Sequence, residues 1–356
     1  MPITSKQKDQ PSGETSHKDM GEESTTQYYD MDYGDEMCNK SGVIKFGSIA
    51  TPIFFSVVIA LSLVGNILVL AILALYENLR SLTNTFILNL ALSDLVFTFG
   101  LPFWAFYHMW GWTLGEHACK AVNFIFFTGF YSSIVFLTMM TIHRYLAVVH
   151  PLSDFGLNKC CYGITTSIVI WIMSFLAAVP ALLFSEVQKD DHDPSVLRCE
   201  YRDKTWKIVG MYIQNVFFVL AFSVIAFCYI RILVTILRSR SHSRFRTVKL
   251  IFVIVVVFFV GWAPYNATVF LKSLTELSVN AFTDCSVSTG VDYSFSVCRL
   301  IAFSHCCLNP VFYVFVGVKF RNHLKMILHR VLQRQSSIEL QPRSSRYNIH
   351  SHGSMY

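Results

Sequence analysis

The sequence predicts an all-α membrane protein: a bundle of seven transmembrane helices followed by a short amphipathic eighth helix. Three observations carry that expectation. Of 356 residues, 53% are hydrophobic and only 15% are charged, against about a quarter charged in soluble domains. Seven apolar runs are each long enough to cross a hydrocarbon core, which takes roughly 20 helical residues. Lys and Arg gather in the segments that alternate spans would leave on one side of a membrane.

The first element is polar. Between residues 19 and 36 lie seven acids and no Lys or Arg, with Tyr28, Tyr29 and Tyr33 interleaved. Such a stretch cannot bury enough apolar area to fold, so disorder is expected over residues 1–45. It reads either as a solvated acidic tail or as a strip through which Tyr28, Tyr29, Asp30, Asp32 and Tyr33 dock a basic partner, more strongly if the tyrosines carry sulfate. Asn39-Lys40-Ser41 is a glycosylation sequon. The first apolar run begins near Phe46, too far in for a cleaved signal.

The spans are expected near residues 46–75, 82–108, 116–149, 159–184, 206–237, 245–271 and 292–316. Asp94 is the one acid deep in the second, and Arg299 and His305 stand in the seventh. The connection after the fifth run carries Arg231, Arg238, Arg240, Arg244, Arg246 and Lys249 with no acid, while Glu186, Asp190, Asp191, Asp193, Glu200 and Asp203 crowd the opposite side. The positive-inside rule then puts the N-terminus outside and the C-terminus in the cytoplasm. Cys38, Cys119, Cys199 and Cys285 fall on the outer side, where disulfides persist. Four cysteines allow three pairings, one of which joins Cys119 to Cys199 and leaves Cys38 with Cys285. The other six read as small apolar packing residues.

After the seventh span, residues 318–332 place Phe320, Leu324, Ile327, Leu328 and Val331 at helical spacing between bases, which suits a helix lying on the inner membrane face. No cysteine follows it to carry a palmitoyl anchor. Residues 333–356 form a tail with Ser336, Ser337, Ser344 and Ser345, read as a phosphorylation strip or simply as a disordered end. The receptor-type domain is therefore expected over residues 46–317.

The motifs in these spans resemble the rhodopsin-like G-protein-coupled receptors. The marks are Gly65-Asn66, Asn89-Leu90-Ala91-Leu92-Ser93-Asp94, His143-Arg144-Tyr145, Trp171, Trp262-Ala263-Pro264 and Asn309-Pro310-Val311-Phe312-Tyr313, in order and on successive helices. Trp112-Thr113-Leu114-Gly115, the acidic tyrosine tail, Tyr265-Asn266 and Ser304-His305-Cys306-Cys307-Leu308-Asn309-Pro310 are similar to the chemokine receptor branch. His143, where most relatives carry Asp, and Arg299, where many carry Glu, resemble its XC-type members. The sequence departs from the branch in three places. Gly100 replaces the usual Thr two before Pro102, the fifth span lacks proline, and Gly261 stands where cysteine usually precedes Trp262.

The resemblance implies a non-enzymatic receptor in the plasma membrane that binds a basic, XC-type chemokine and activates an inhibitory-class heterotrimeric G protein, driving chemotaxis and calcium signals. It also implies arrestin binding through a phosphorylated C-tail and contact with membrane lipid; no nucleic acid partner is expected. Ligand contacts fall to the tail and to Trp104, Phe126, Tyr265 and Arg299, and the disulfides to Cys119–Cys199 and Cys38–Cys285. The switch comprises His143, Arg144, Tyr145, Trp262, Pro264, Asn309, Pro310 and Tyr313. No cofactor is implied beyond a sodium ion held by Asp94, Asn66, Ser133 and Asn309, oxygen ligands suited to a hard cation. A buried Arg299 needs a partner or water, and at the ligand cavity it suggests a ligand N-terminus engaged through polar or acidic groups rather than through its amine. His143 weakens the acid–Arg pairing that restrains the resting state, so raised basal activity is expected, and a scavenging receptor without G-protein coupling is the alternative. A light-driven pump is disfavoured, because the seventh span has no lysine, and so is a transporter, because no inverted repeat is visible.

Overall fold

The computed structural model describes residues 38–150, 159–190, 195–239, 242–316 and 318–339. Within them nine α-helical segments run α1 (Ser41–Tyr76), α2 (Leu82–Trp110), α3 (Glu116–Val149), α4 (Lys159–Phe184), α5 (Lys204–Ser239), α6 (His242–Glu276), α7 (Cys285–Phe303), α8 (His305–Val316) and α9 (Val318–Glu339). A two-stranded hairpin, β1 (Ser185–Lys189) and β2 (Leu197–Tyr201), joins α4 to α5. The described residues from Asn39 onward belong to one compact unit. Tyr28, Tyr29, Asp30, Asp32 and Tyr33 lie outside the described residues, as do Ser344, Ser345 and the side chains of Arg244, Arg246, Lys249, Tyr313, Ser336 and Ser337.

Five of the described helices are long and apolar enough to cross a membrane. The packing is that of a protein solvated by lipid. Val64 and Leu75 on α1 are 70% and 69% exposed, whereas Asp94, Ser93, Ser62 and Ser132 are wholly buried. Apolar side chains thus face outward and the polar ones gather between helices, the reverse of a soluble domain.

Helix ends follow from local chemistry. Asn39 Oδ1 accepts from the Ser41 N–H at 3.1 Å, so α1 opens at Ser41, before the apolar run itself begins. Asp284 caps α7 by accepting from Ser286 N and Val287 N, which starts that helix seven residues ahead of the expected span. α2 stops at Gly111, whose φ of 74° suits glycine and whose N–H returns to Tyr107 O. The seventh span is two segments, because the Ser304 N–H is shared between Leu300 O and Ile301 O and the helix re-forms at His305. α9 continues to Glu339, past the expected end at residue 332, through a stretch with neither Gly nor Pro to stop it. The hairpin was not anticipated from the sequence.

α3 is the central element, touching α2, α4, α5, α6 and β1. Asn89 ties α2 to α4, donating to Ser167 Oγ at 3.1 Å and accepting from Trp171 Nε1 at 3.0 Å. α2 and α3 approach so closely that a Cβ on Gly129 would stand 2.5 Å from Phe97 N and 2.7 Å from its Cα. Gly129→Ala should therefore force two helices apart and destabilise the fold by about 1–3 kcal/mol. The thermal midpoint of the detergent-solubilised chain measures this, and an unchanged midpoint would show that the helices separate at no cost.

Candidate functional site

At the hairpin end the helices part around a cavity of ≈ 950 Å³. Its roof is built by the hairpin. Cys199 on β2 is disulfide-bonded to Cys119 in the first turn of α3. Asn123, one turn further along α3, donates to Ser185 Oγ at 3.1 Å and approaches Cys199 Sγ at 3.2 Å. The α2–α3 connection clamps the same strand: the Trp112 N–H donates to Leu197 O at 2.7 Å, and the Trp112 indole is buried beside Cys119, Val122 and Cys199. Cys38 and Cys285 are each disulfide-bonded as well.

All four cavity residues expected from the sequence line this space: Trp104, Phe126, Tyr265 and Arg299. Phe126 meets Trp104 at 5.9 Å and Phe303 at 5.1 Å between ring centroids, and Tyr265 meets Phe295 at 5.6 Å. Arg299 has a partner that sequence reasoning missed. Its Nη2 stands 2.6 Å from His108 Nε2, while His108 Nδ1 stands 2.7 Å from Trp104 O. A carbonyl only accepts and a guanidinium only donates, so this imidazole carries its proton on Nδ1 and is neutral.

The ion pairs around the mouth were also missed. Asp292 on α7 is gripped by Lys40 at 2.7 Å and by Lys272 at 2.9 Å, which joins the starts of α1 and α7 to the end of α6. Lys207 on α5 reaches Glu276 at 2.7 Å and Glu200 at 3.4 Å. Arg198 pairs with Asp190 and, at 3.6 Å, with Glu200. Partial burial pulls the Arg198 guanidinium down, but neighbouring Tyr107, Asp190 and Glu200 more than offset this and hold it above its ordinary value. Opposite charges at the facing ends of consecutive apolar runs, as with Lys272 and Asp292, were the available signal.

Midway through the bundle, Asp94 accepts from Ser133 Oγ at 3.0 Å and from Asn309 Nδ2 at 2.7 Å, with His305 Nε2 3.9 Å away. The fourth residue expected there, Asn66, faces elsewhere and donates to Cys306 O at 2.8 Å. Two of the four residues thus offer N–H groups rather than oxygens. In this arrangement the four do not converge on one point, because Asn66 is turned to the Cys306 carbonyl. Above this layer the buried Trp262 ring packs against Phe130 at 4.8 Å, His305 at 5.0 Å and Tyr265 at 5.6 Å.

At the α9 end, α3 finishes with the expected triplet. Arg144 is half-buried, and its Nε has no hydrogen-bond partner among the described residues. His143 sets its ring edge-on to Phe86 at 6.2 Å, and the Tyr145 hydroxyl meets His150 Nε2 at 3.2 Å. Among the described residues no ion pair involves Arg144, and the residue before it is His143 rather than an acid. α9 is fastened to α1, with Arg330 donating to the Tyr76 hydroxyl at 3.0 Å and His323 stacked on the Tyr76 ring at 5.0 Å.

A cavity at one end, the His143-Arg144-Tyr145 triplet at the other and a polar layer between them are the geometry of a transmembrane receptor. The family described as 7 transmembrane receptor (rhodopsin family) matches residues 65–313. Chemokine XC receptor 1 of Homo sapiens is 46% identical over 308 residues, covering 86% of this chain and 89% of the relative. The chain belongs to the rhodopsin-like receptors, in the chemokine receptor branch. Chemokine XC receptor 1 of Mus musculus is 45% identical over 310 residues, 87% of this chain and 92% of the relative. Human C-C chemokine receptor type 1 is 38% identical over 316 residues, 86% and 88% of the two chains. The chain is therefore a multi-pass plasma-membrane receptor and not an enzyme.

The knot at Asp292 yields a test on this receptor. Asp292→Asn leaves Lys40 and Lys272 facing each other uncompensated, and should lower stability by roughly 1 kcal/mol at low ionic strength. Molar salt should shrink the gap by screening. A thermal midpoint equal to the native one at both salt levels would show that the knot contributes nothing.

Proposed function

We propose that this receptor binds a basic chemokine of XC type at the hairpin end, facing outside the cell, and activates an inhibitory-class G protein at the α9 end, in the cytoplasm. The supporting observation is that one helix serves both ends: α3 carries the disulfide to the cavity roof at Cys119 and Arg144 five residues before its other end. The orientation is supported by Lys and Arg concentrated after the fifth span and in α9. Similarity to Chemokine XC receptor 1 supports the ligand class.

In this reading the acidic stretch with Tyr28, Tyr29, Asp30, Asp32 and Tyr33, sulfated on its tyrosines, captures the ligand electrostatically. Asn39 carries a glycan, and a Cys38–Cys285 disulfide brings the tail to the cavity. The ligand's N-terminal segment then enters among Trp104, Phe126, Tyr265 and Arg299. Pro264 lacks the N–H that would close its turn of α6, so the helix can hinge beside the Trp262 stack and uncover Arg144, Tyr145 and Tyr313 for the G protein. Arrestin binds the phosphorylated C-terminal tail, and lipid surrounds the bundle. Calcium release and chemotaxis follow from G-protein activation.

The test is G-protein activation in cells expressing the full chain, against a chemokine panel. An XC-type chemokine should activate an inhibitory-class protein, and Arg144→Ala should reduce the response at least tenfold with binding retained. His143→Asp should lower basal signalling. Surface binding by the native chain with no G-protein response would instead make it a scavenging receptor.

A further inference from the structure

The charged groups lining the cavity are paired in all but one case. Of its five Lys and Arg residues, Lys40, Arg198, Lys207 and Lys272 are each in ion pairs. The fifth is Arg299, for which no ion pair occurs among the described residues, and whose one hydrogen bond goes to the neutral His108. Its Nε is buried with no acceptor among the described residues. A second buried donor, Nε1 of the cavity-lining Trp104, also has no acceptor among the described residues. Buried polar groups are nearly always satisfied, and an uncompensated cation within a membrane-spanning helix is costly. Two unanswered donors in one cavity therefore ask for an acceptor supplied from outside.

The acids show the converse. Each carboxylate lining the cavity is already held by a cation: Asp292 by two lysines, and Glu200 and Glu276 by Lys207. An incoming ammonium group finds no free carboxylate, whereas an incoming carboxylate finds a free guanidinium. Phe295 flanks this guanidinium at 5.5 Å from its ring centre, and the Phe303 ring lies one turn further along α7. Water screening is weak in such a setting. A guanidinium also presents a planar fork matched to two carboxylate oxygens.

We propose that Arg299, braced by His108 and joined by Trp104 Nε1–H, is an anion receptor that selects ligands carrying a carboxylate in their N-terminal segment. This rests on the reading of the cavity as the chemokine site and names the chemistry read there. The ligand's α-amine is left to solvent or to its own peptide groups.

The experiment uses the full chain in cell membranes and an XC-type chemokine rebuilt with an uncharged N-terminal segment. Paired probes carry a single Glu, or Gln at the same place, moved through each position of that segment. At one position the Glu probe should exceed the Gln probe in potency by about tenfold or more on the native receptor. The advantage should vanish in Arg299→Gln, persist in part in Arg299→Lys, and shrink in Trp104→Phe. Surface staining and binding of labelled chemokine confirm that each variant is folded; the native and Trp104→Phe receptors decide the matter if Arg299 variants fail to reach the surface. Equal potency of Glu and Gln probes at every position overturns the proposal, as does an undiminished Glu advantage in Arg299→Gln. Absence of chemokine binding by the native receptor with any probe would instead overturn the functional reading itself.

Discussion

The bundle depends on one carbonyl. Pro310 has no N–H, so the peptide oxygen of Cys306, four residues earlier, loses its helical partner in the middle of a lipid-solvated bundle. Left bare, such a group costs on the order of 1–3 kcal/mol. The Asn66 side chain on α1 supplies the missing donor at 2.8 Å, with Ser62 Oγ at 3.3 Å beside it. α1 can come near enough only because residue 65 is glycine: a Cβ there would stand 2.8 Å from Pro310 Cβ. Gly65-Asn66 and Asn309-Pro310, far apart in sequence, are two halves of a single joint.

The joint reaches further through its neighbour. Asn309, directly before the proline, donates to Asp94 on α2, whose other oxygen accepts from Ser133 on α3. Four helical elements thus meet in a buried polar layer whose members are held by hydrogen bonds rather than by shape alone. In lipid, where apolar burial does little to hold helices together, such contacts and close small-residue packing do much of that work. The break at Ser304 sits just above this layer, where the helix is least bound to itself.

Much of this was legible in the amino-acid order. Long apolar runs report spans because lipid punishes every stray charge, and Asp94, Trp171, Trp262 and Pro310 declare themselves by their rarity in such runs. Arg299 and the aromatics Trp104, Phe126 and Tyr265 were likewise assignable to one cavity. What stayed hidden were relations between distant residues. The Asp292 knot needs Lys40 and Lys272 to converge from separate helices, and the His108 brace needs a register between α2 and α7 that no local pattern encodes. The hairpin was hidden for another reason: its ten residues alternate too weakly to signal strands, and it is held by Cys119, Asn123 and Trp112 rather than by its own propensity. Also hidden was the service of the Asn66 amide to the Cys306 carbonyl, a relation set by Pro310 on a distant helix.

The bond between Cys199 and Cys119 has a mechanical meaning. α3 runs 34 residues without a proline or a described break, which makes it a strut about 50 Å long. Whatever lodges beneath the hairpin bears on one end of that strut through a covalent weld, with no compliant loop between them to absorb the load. The hairpin and the cavity end of α3 are therefore covalently one piece, so the roof cannot shift without carrying that end of the rod with it.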